Sequence, residues 1–376
     1  MRPNGVIGFD ATLLRSHRCT GIERYTIELL QSLGEVIPSG RRVVVFVRPE
    51  GRARVPQLPT NFEIVSSPTD NRVVSDQLWL PAAARHFRTA FVHHPGLAPG
   101  LWSPGPFLLT VHDLIHRFYP RSLSTGGRWY YGPLLERALR SRALIGILTV
   151  SSTSARDIER EHPGLRCPVI PAANGLSGGF VAAAPEAVAA ARERHGLDAP
   201  YVLAVGTIEP RKNLAGLVEG FARVARSRPA ILAIVGRQGW ERKLKIPASV
   251  AGAVRFLGVV SDAELRALYT GASCFVFPSF YEGFGIPLLE AMACGTPCVA
   301  SDIGALREVG GDAALYIDPR RPDDLSFGIL RLLNDSSLRR RLAEAGLRRA
   351  AKFSWKTTAQ TVYETYEQSL RAMGHS

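Results

Sequence analysis

The chain has 376 residues, of which 46% are hydrophobic and 21% charged. At roughly 150 residues per domain this length predicts two domains, and the composition excludes a disordered, collagen-like or disulfide-scaffold protein. The net charge of +13 comes from 46 Lys and Arg against 33 Asp and Glu, and such a surface attracts nucleic acid, phosphorylated ligands or acidic lipid without choosing among them.

The N-terminal half predicts strands alternating with helices. Val6–Phe9 reads as a strand, Gly21–Leu33 as an amphipathic helix, and Val43–Val47 and Phe62–Val65 as further strands. A helix is expected over Ser75–Phe87, then strands at Phe91–His93, Phe107–Val111 and Leu144–Val150, with helices over Thr125–Arg140 and Ser151–Glu161. A second set runs through the strands Tyr201–Val205, Ile231–Val235, Val254–Leu257, Cys274–Phe277 and Cys298–Ala300. Its helices are Leu214–Arg226, Asp262–Tyr269, Ile286–Ala293, Asp323–Asn334 and Ser337–Ala351, and an amphipathic stretch, Trp355–Met373, ends the chain. This alternation predicts an α/β protein of two doubly wound, Rossmann-like parallel-sheet domains facing across a cleft, with ligands bound at the carboxyl ends of the strands. The expected boundaries are 1–180, a linker at 181–199 with the helix-like tract Pro185–His195, 200–354, and a last helix at 355–376 that could return to the first domain.

The five cysteines, Cys19, Cys167, Cys274, Cys294 and Cys298, form no CxxC pair. They are expected as buried, reduced thiols of a cytoplasmic protein. The opening MRPNGVIGFD lacks the apolar core of a secretory signal, and no uncharged apolar run reaches the ~18 residues of a membrane span.

The strongest local signal is Tyr281-Glu282-Gly283-Phe284-Gly285-Ile286-Pro287-Leu288-Leu289-Glu290. It follows one predicted strand and opens a helix near Ile286. Gly283 and Gly285 let a ligand approach the backbone, and the free N–H groups of the helix start favour an anion such as a diphosphate. Pro287 suits a first turn, and Glu290, one turn in, can reach a diol. A plain glycine turn before a helix with a solvent-facing Glu is the blander reading, and the two glutamates flanking the turn weigh against it.

A second signal is Gly206-Thr207-Ile208-Glu209-Pro210-Arg211-Lys212-Asn213-Leu214, again straight after a strand. Lys212 is the first of only five lysines, at 212, 243, 245, 352 and 356. A Lys at a helix start opposes the dipole and calls for an anionic partner, unless it is merely solvated. The third is Thr110-Val111-His112-Asp113-Leu114 at a strand end, where His112 could donate a hydrogen bond or titrate near neutrality. His93-His94 close another strand and read as structural or acceptor-side. No HExxH or Cys/His spacing accompanies them, so no metal is expected. Gly21, opening a helix, is either a point of close approach to a diphosphate or acceptor, or a plain N-cap.

Together these blocks resemble the retaining glycosyltransferases of the GT-B fold, family 4. The resemblance rests on the E-x7-E pair Glu282 and Glu290, the strand-end glycine followed by Arg211 and Lys212, Gly236, Leu257-Gly258, and Thr20-Gly21-Ile22-Glu23-Arg24-Tyr25 with His112-Asp113. It implies a hexosyltransferase with a nucleotide-sugar donor held by the C-terminal domain and no metal or other cofactor. Glu290 would bind the ribose, and Lys212 and Arg211 the diphosphate. Glu282 and the backbone of Gly283, Phe284, Gly285 and Ile286 would meet the sugar, and His112 would stand near sugar and acceptor with Asp113 beside it. Gly206 and Thr207 would flank the diphosphate. One departure is Thr207, where many members have Arg, so a charge is missing that Arg211 or a residue of the other domain would supply. The variant Gly-Thr-x-Glu-Pro-Arg-Lys-Asn-Leu is similar to bacterial mannosyl- and rhamnosyltransferases of polysaccharide assembly. A GDP-mannose or GDP-D-rhamnose donor and a lipid-linked glycan acceptor are therefore expected, with same-face attack in which the leaving phosphate takes the acceptor's proton.

Arg117-Phe118-Tyr119-Pro120-Arg121 through Arg128-Trp129-Tyr130-Tyr131 to Arg137, Arg140 and Arg142 mixes basic and aromatic residues. It suggests contact with an anionic membrane surface at the inner face of the cytoplasmic membrane, against a merely solvated Arg face. The alternatives are a UDP- or dTDP-sugar transferase, a phosphorylase, an epimerase of the same fold, and a basic nucleic-acid binder. The last leaves the Glu282–Glu290 block unexplained, so no nucleic-acid partner is expected.

Overall fold

The computed structural model describes residues 5–15, 20–96, 98–101, 105–123, 132–239 and 244–375. Two compact units emerge: Met1–Arg117 with Thr125–Gly175 and Ser354–Ser376, and Phe118–Ser124 with Leu176–Phe353. The helix-like tract Pro185–His195 expected within the linker 181–199 forms the helix Pro185–Arg194, which groups with the second unit and packs on the helix Asp262–Gly271.

In the first unit seven parallel strands form one sheet. They are β1 (Val6–Asp10), β2 (Val43–Val47), β3 (Phe62–Ser66), β4 (Thr89–His94), β5 (Phe107–Val111), β6 (Leu144–Thr149) and β7 (Val169–Pro171), in the order β3-β2-β1-β4-β5-β6-β7. β2 is an unbroken run of Val and Phe, buried throughout, as a strand covered on both faces requires. The helix Gly21–Val36 begins at a capping box: Glu23 N–H donates to Thr20 Oγ1 at 3.3 Å, and Thr20 N–H donates to Glu23 Oε2 at 2.8 Å. The cap is therefore Thr20, and Gly21 is the first helical residue rather than the cap. A Cβ added at Gly21 would meet open space, so packing does not demand glycine there. Where one helix was expected over Ser75–Phe87, a π-helical stretch Ser75–Trp79 joins the short helix Arg72–Val74 to Leu80–His86.

The last helix, Trp355–Ala372, belongs to this unit and packs on Gly21–Val36. Its Tyr366 hydroxyl meets His93 Nδ1 at 2.6 Å, while His93 Nε2 meets Thr110 Oγ1 at 2.8 Å. Burial holds the His93 imidazole neutral and pushes its pKa down from 6.5 to about 3. Burial also lowers His112. The unfolded chain thus takes up protons at these histidines first, so the stability they contribute is constant above about pH 6.5 and is lost as pH drops below it. At pH 5 the His93 share is about 2 kcal/mol, at 1.36 kcal/mol per pH unit. A His93→Gln variant should show a shallower loss of melting temperature between pH 6.5 and 5. An unchanged slope would mean that His93 is not the group excluded from protonation.

The second unit holds a six-stranded parallel sheet of β8 (Tyr201–Val205), β9 (Ile231–Val235), β10 (Val254–Gly258), β11 (Cys274–Phe277), β12 (Cys298–Ser301) and β13 (Ala314–Ile317), ordered β10-β9-β8-β11-β12-β13. The helix Leu214–Ser227 lays Leu217, Val218, Phe221 and Val224 on Leu232, Ile234 and Val276. Burial of each such side chain contributes roughly 1.5–3 kcal/mol. Cys274, Cys294 and Cys298 are buried and Cys167 is half-buried; burial pushes the Cys274 and Cys294 thiols up to about 12. Cys19 lies outside the described residues. Among the described residues no helix is long and apolar enough to cross a membrane.

Both sheets reverse their strand order once, between β1 and β4 in the first and between β8 and β11 in the second. Loops leaving the two strands at such a point part to opposite faces and open a crevice at the carboxyl edge.

Candidate active site

In the second unit the loops after β8 and β11 meet at that crevice. Gly206 leaves β8 at φ 150°, and Gly236 leaves neighbouring β9 at φ 148°. The two backbones touch so closely that a Cβ on Gly236 would fall 1.9 Å from the Gly206 carbonyl oxygen. Only glycine fits. Across the crevice, Gly285 caps the helix Ile286–Ala293 at φ 118°, with Pro287 in the first turn. Leu306 Cδ2 would stand 2.6 Å from a Cβ on Gly285.

Between these loops lies a buried ionic cluster. Glu282 Oε1 accepts from Lys212 Nζ at 2.7 Å, and its Oε2 pairs with Arg211 Nη1 at 2.8 Å. Arg211 also donates to Glu209 Oε1 from Nε at 3.0 Å and Nη2 at 2.7 Å, and to the Tyr281 carbonyl from Nη1 at 2.8 Å. Lys212 Nζ lies 4.8 Å from the centroid of the Phe277 ring, at the end of β11. Burial would raise the Glu282 pKa, but Arg211 and Lys212 outweigh it and bring it down to about 2. Burial lowers Lys212 against the pull of Glu282. Lys212 and Arg211, from one sequence motif, and Glu282, from another, are thus one network. Glu209 completes it and was not singled out from the sequence, although it stands two residues before Arg211.

Arg211, expected to offset the charge missing at Thr207, is committed to two carboxylates and a carbonyl. Glu290 sits one turn into Ile286–Ala293, 5% exposed, and its Oε2 accepts from the Tyr269 hydroxyl at 3.2 Å. Phe284 is buried against Phe353, ring centroids 5.7 Å apart. Phe118 and Tyr119, read from the sequence as part of a surface patch, turn their rings to Tyr281 at 5.2 and 5.8 Å.

In the first unit the crevice edge carries His112 and a buried polar cluster. His112 Nε2 donates to the Pro95 carbonyl at 2.9 Å, which leaves the Nδ1 lone pair as an acceptor on the neutral ring. Tyr25 packs edge-on to that ring, 4.6 Å between centroids. Asp113 Oδ1 accepts from Ile115 N–H at 2.9 Å and so caps the short helix Ile115–Phe118. Asp10 Oδ2 pairs with His94 Nδ1 at 2.7 Å, and Asp10 Oδ1 accepts from Thr12 N–H at 2.9 Å. Burial would raise Asp10, and the His94 and Thr12 contacts bring it below its ordinary value.

Of the basic–aromatic block, Arg117 is ion-paired to Glu161 at 2.6 Å and to Glu136 at 3.6 Å. Arg128-Trp129-Tyr130-Tyr131 lie outside the described residues. The described part therefore spends Arg117 on internal pairing and the rings of Phe118 and Tyr119 on Tyr281, while Arg121, Arg137, Arg140 and Arg142 are exposed. Among the described residues no group of three His, Cys, Asp or Glu is arranged to hold a metal ion.

Two parallel Rossmann-like sheets, each with a crevice at its switch point, define the GT-B class. Residues 188–349 match the family model described as glycosyl transferases group 1. The chain is 39% identical over 265 residues to the O-antigen chain mannosyltransferase B of Escherichia coli, covering 67% of this chain and 68% of that one. It is 31% identical over 283 residues to an MMP alpha-(1->4)-mannosyltransferase of Mycolicibacterium hassiacum, covering 70% and 66%. Against a serotype-specific mannosyltransferase WbdA of Escherichia coli it is 33% identical over 195 residues but spans only 24% of that protein. Among solved structures, Anabaena Alr3699/HepE in complex with UDP and glucose superposes with a TM-score of 0.71 at 17% identity, covering 97% of this chain and 100% of that one. The chain belongs to the glycosyl transferases group 1 family. It is a glycosyltransferase, and a nucleotide-sugar donor and a glycan acceptor fit that family.

Proposed function

We propose that the protein is a retaining hexosyltransferase that moves mannose from GDP-mannose onto a glycan acceptor, lipid-linked, in cell-surface polysaccharide synthesis. The observation that carries this is the buried Glu282–Lys212–Arg211–Glu209 network held between two glycine-lined strand ends at the switch point of the second sheet. The mannosyltransferase relatives support the choice of sugar, with D-rhamnose as the alternative.

In this reading the diphosphate lies over Gly206 and the start of Ile286–Ala293, whose N–H groups stabilise the charge that develops as the sugar leaves. Lys212 adds a cation on a short tether. Glu290 accepts from the ribose hydroxyls, and the Tyr269 hydroxyl fixes its carboxylate. Glu282 orients Lys212 and meets the donor sugar with the Gly283–Gly285 backbone. The acceptor hydroxyl attacks on the face the phosphate leaves, and its proton passes to that phosphate, so the anomeric configuration is retained. Charge stabilisation by cations and N–H groups leaves no step that calls for a metal. His112, neutral with a free Nδ1 lone pair, serves the sugar-transfer step, and Asp113 holds the loop that presents it.

The deciding experiment is a thermal-shift screen of GDP-, UDP- and dTDP-sugars, followed by turnover with the best donor in the presence of EDTA and determination of the product anomer. A ligand bound only by the folded state raises the melting point by mass action. GDP-mannose should give the largest shift, EDTA should leave turnover intact, and the product should be the α-mannoside. A preference for a UDP- or dTDP-sugar, strict dependence on Mg²⁺, or an inverted product would each overturn the corresponding part. Glu290→Ala should weaken GDP binding by on the order of 1.5–3 kcal/mol, as expected for hydrogen bonds to a charged group. Unchanged GDP affinity in a titration would remove the ribose role. Lipid linkage is tested by comparing vesicle-borne with free oligosaccharide acceptors, and a cytoplasmic-face location by co-sedimentation with anionic vesicles at low and high salt.

A further inference from the structure

The buried network contains two cations, Arg211 and Lys212, and two carboxylates, Glu209 and Glu282, in mutual contact. It carries no surplus positive charge, whereas a nucleoside diphosphate brings at least two negative charges. Besides Lys212 and the helix N–H groups, a cation outside the network would balance that charge, and the ladder beside it indicates which one.

Beyond the end of β8 and β9 the parallel pairing continues through the loops. Val205 pairs with Val235, Gly206 N–H donates to the Val235 carbonyl at 2.9 Å, Ile208 N–H donates to the Arg237 carbonyl at 3.0 Å, and Ile208 bridges Gln238. Thr207 and Arg237 are therefore opposite each other in register. Register partners on neighbouring strands, ~4.8 Å apart, project from the same face. The contact at Gly239 agrees: a Cβ there would lie 2.7 Å from Thr207 Cγ2. Arg237 is exposed, and none of the described ion pairs includes it.

We propose that Arg237 contacts the donor diphosphate and supplies the positive charge that Thr207 does not. The proposal rests on the reading above, in which this crevice holds a nucleoside diphosphate. A planar guanidinium can bind two phosphate oxygens at once, which suits an extended side chain reaching across from the next strand.

The test is titration of GDP and of guanosine into the wild type, Arg237→Ala and the double variant Arg237→Ala/Thr207→Arg. GDP affinity should fall about tenfold or more in Arg237→Ala. Guanosine affinity should be unchanged, which separates a lost phosphate contact from a damaged fold. The double variant should regain most of the GDP affinity, because the new guanidinium starts from the register partner of the old one. Equal GDP affinity in wild type and Arg237→Ala overturns the proposal, and so does an equal loss of GDP and guanosine. If the wild type prefers UDP or dTDP, the donor assignment is wrong, and the same comparison on that nucleotide decides Arg237 separately. A wild type that binds no nucleoside diphosphate overturns both readings.

Discussion

Glu282→Ala is expected to lower the melting temperature by on the order of 10 °C and to abolish measurable turnover. Glu282 is shared by Lys212 and Arg211, each at 2.7–2.8 Å. Its removal leaves two buried cations facing a single anion, Glu209. Breaking a buried pair from one side costs about 3–5 kcal/mol, since the orphaned charge stays desolvated. For a unit of this size each kcal/mol moves the melting point roughly 2–4 °C. The pH dependence has a definite sign. The Glu282 pKa is held at about 2 against an ordinary 4.5, so its stabilisation is present above pH 4.5 and is lost as pH falls toward 2. Over that window the wild type should lose about 3 kcal/mol that the variant has already lost, so the two stability curves converge in acid. Parallel curves, or an unshifted melting point, would show that Lys212 and Arg211 do not depend on this carboxylate.

Lys212→Ala should behave differently: a modest change in stability with a fall in kcat of about 10²–10³-fold. Arg211 remains on Glu282 in this variant, so no carboxylate is stranded. What is lost is a cation at the crevice, and removing one preorganised charge-stabilising group costs about that much in rate. The interaction strengthens as the phosphate gains charge, so kcat should fall further than ground-state GDP affinity. Lys212→Arg should recover part of the rate. Full recovery is not expected, because Nζ is seated above the Phe277 ring and the Lys212 stem lies against Gly206. A Lys212→Ala enzyme within threefold of wild type would reduce this lysine to a structural partner of Glu282.

How much of this the sequence carried depends on the range of the interaction. The strands Val43–Val47, Phe107–Val111, Tyr201–Val205, Ile231–Val235 and Cys274–Phe277 were legible with their observed limits. Each is an apolar run with turn residues close by, and a strand buried on both faces can be little else. β7 and β13 were not recognised: both are apolar but only three and four residues long, and lie part-exposed at sheet edges. The helix Ile286–Ala293 and its glycine entry were legible too, since the turn, the proline and the helix start are local chemistry.

The pairing of charges was not. Arg211, Lys212 and Glu282 could be named as binders of a ligand because each follows a strand. That they bind one another, and recruit Glu209, depends on β8 lying beside β11, strands some 70 residues apart in the chain. The same holds for Asp10 with His94, and for Tyr366, which reaches His93 from the last helix across 273 residues. By itself the sequence determined which residues end strands and open helices, because backbone preference and apolar periodicity act over a few residues. Only the tertiary structure decided the order of strands within each sheet, and with it which charges share a buried site, because contact energies between distant segments leave no local pattern to read.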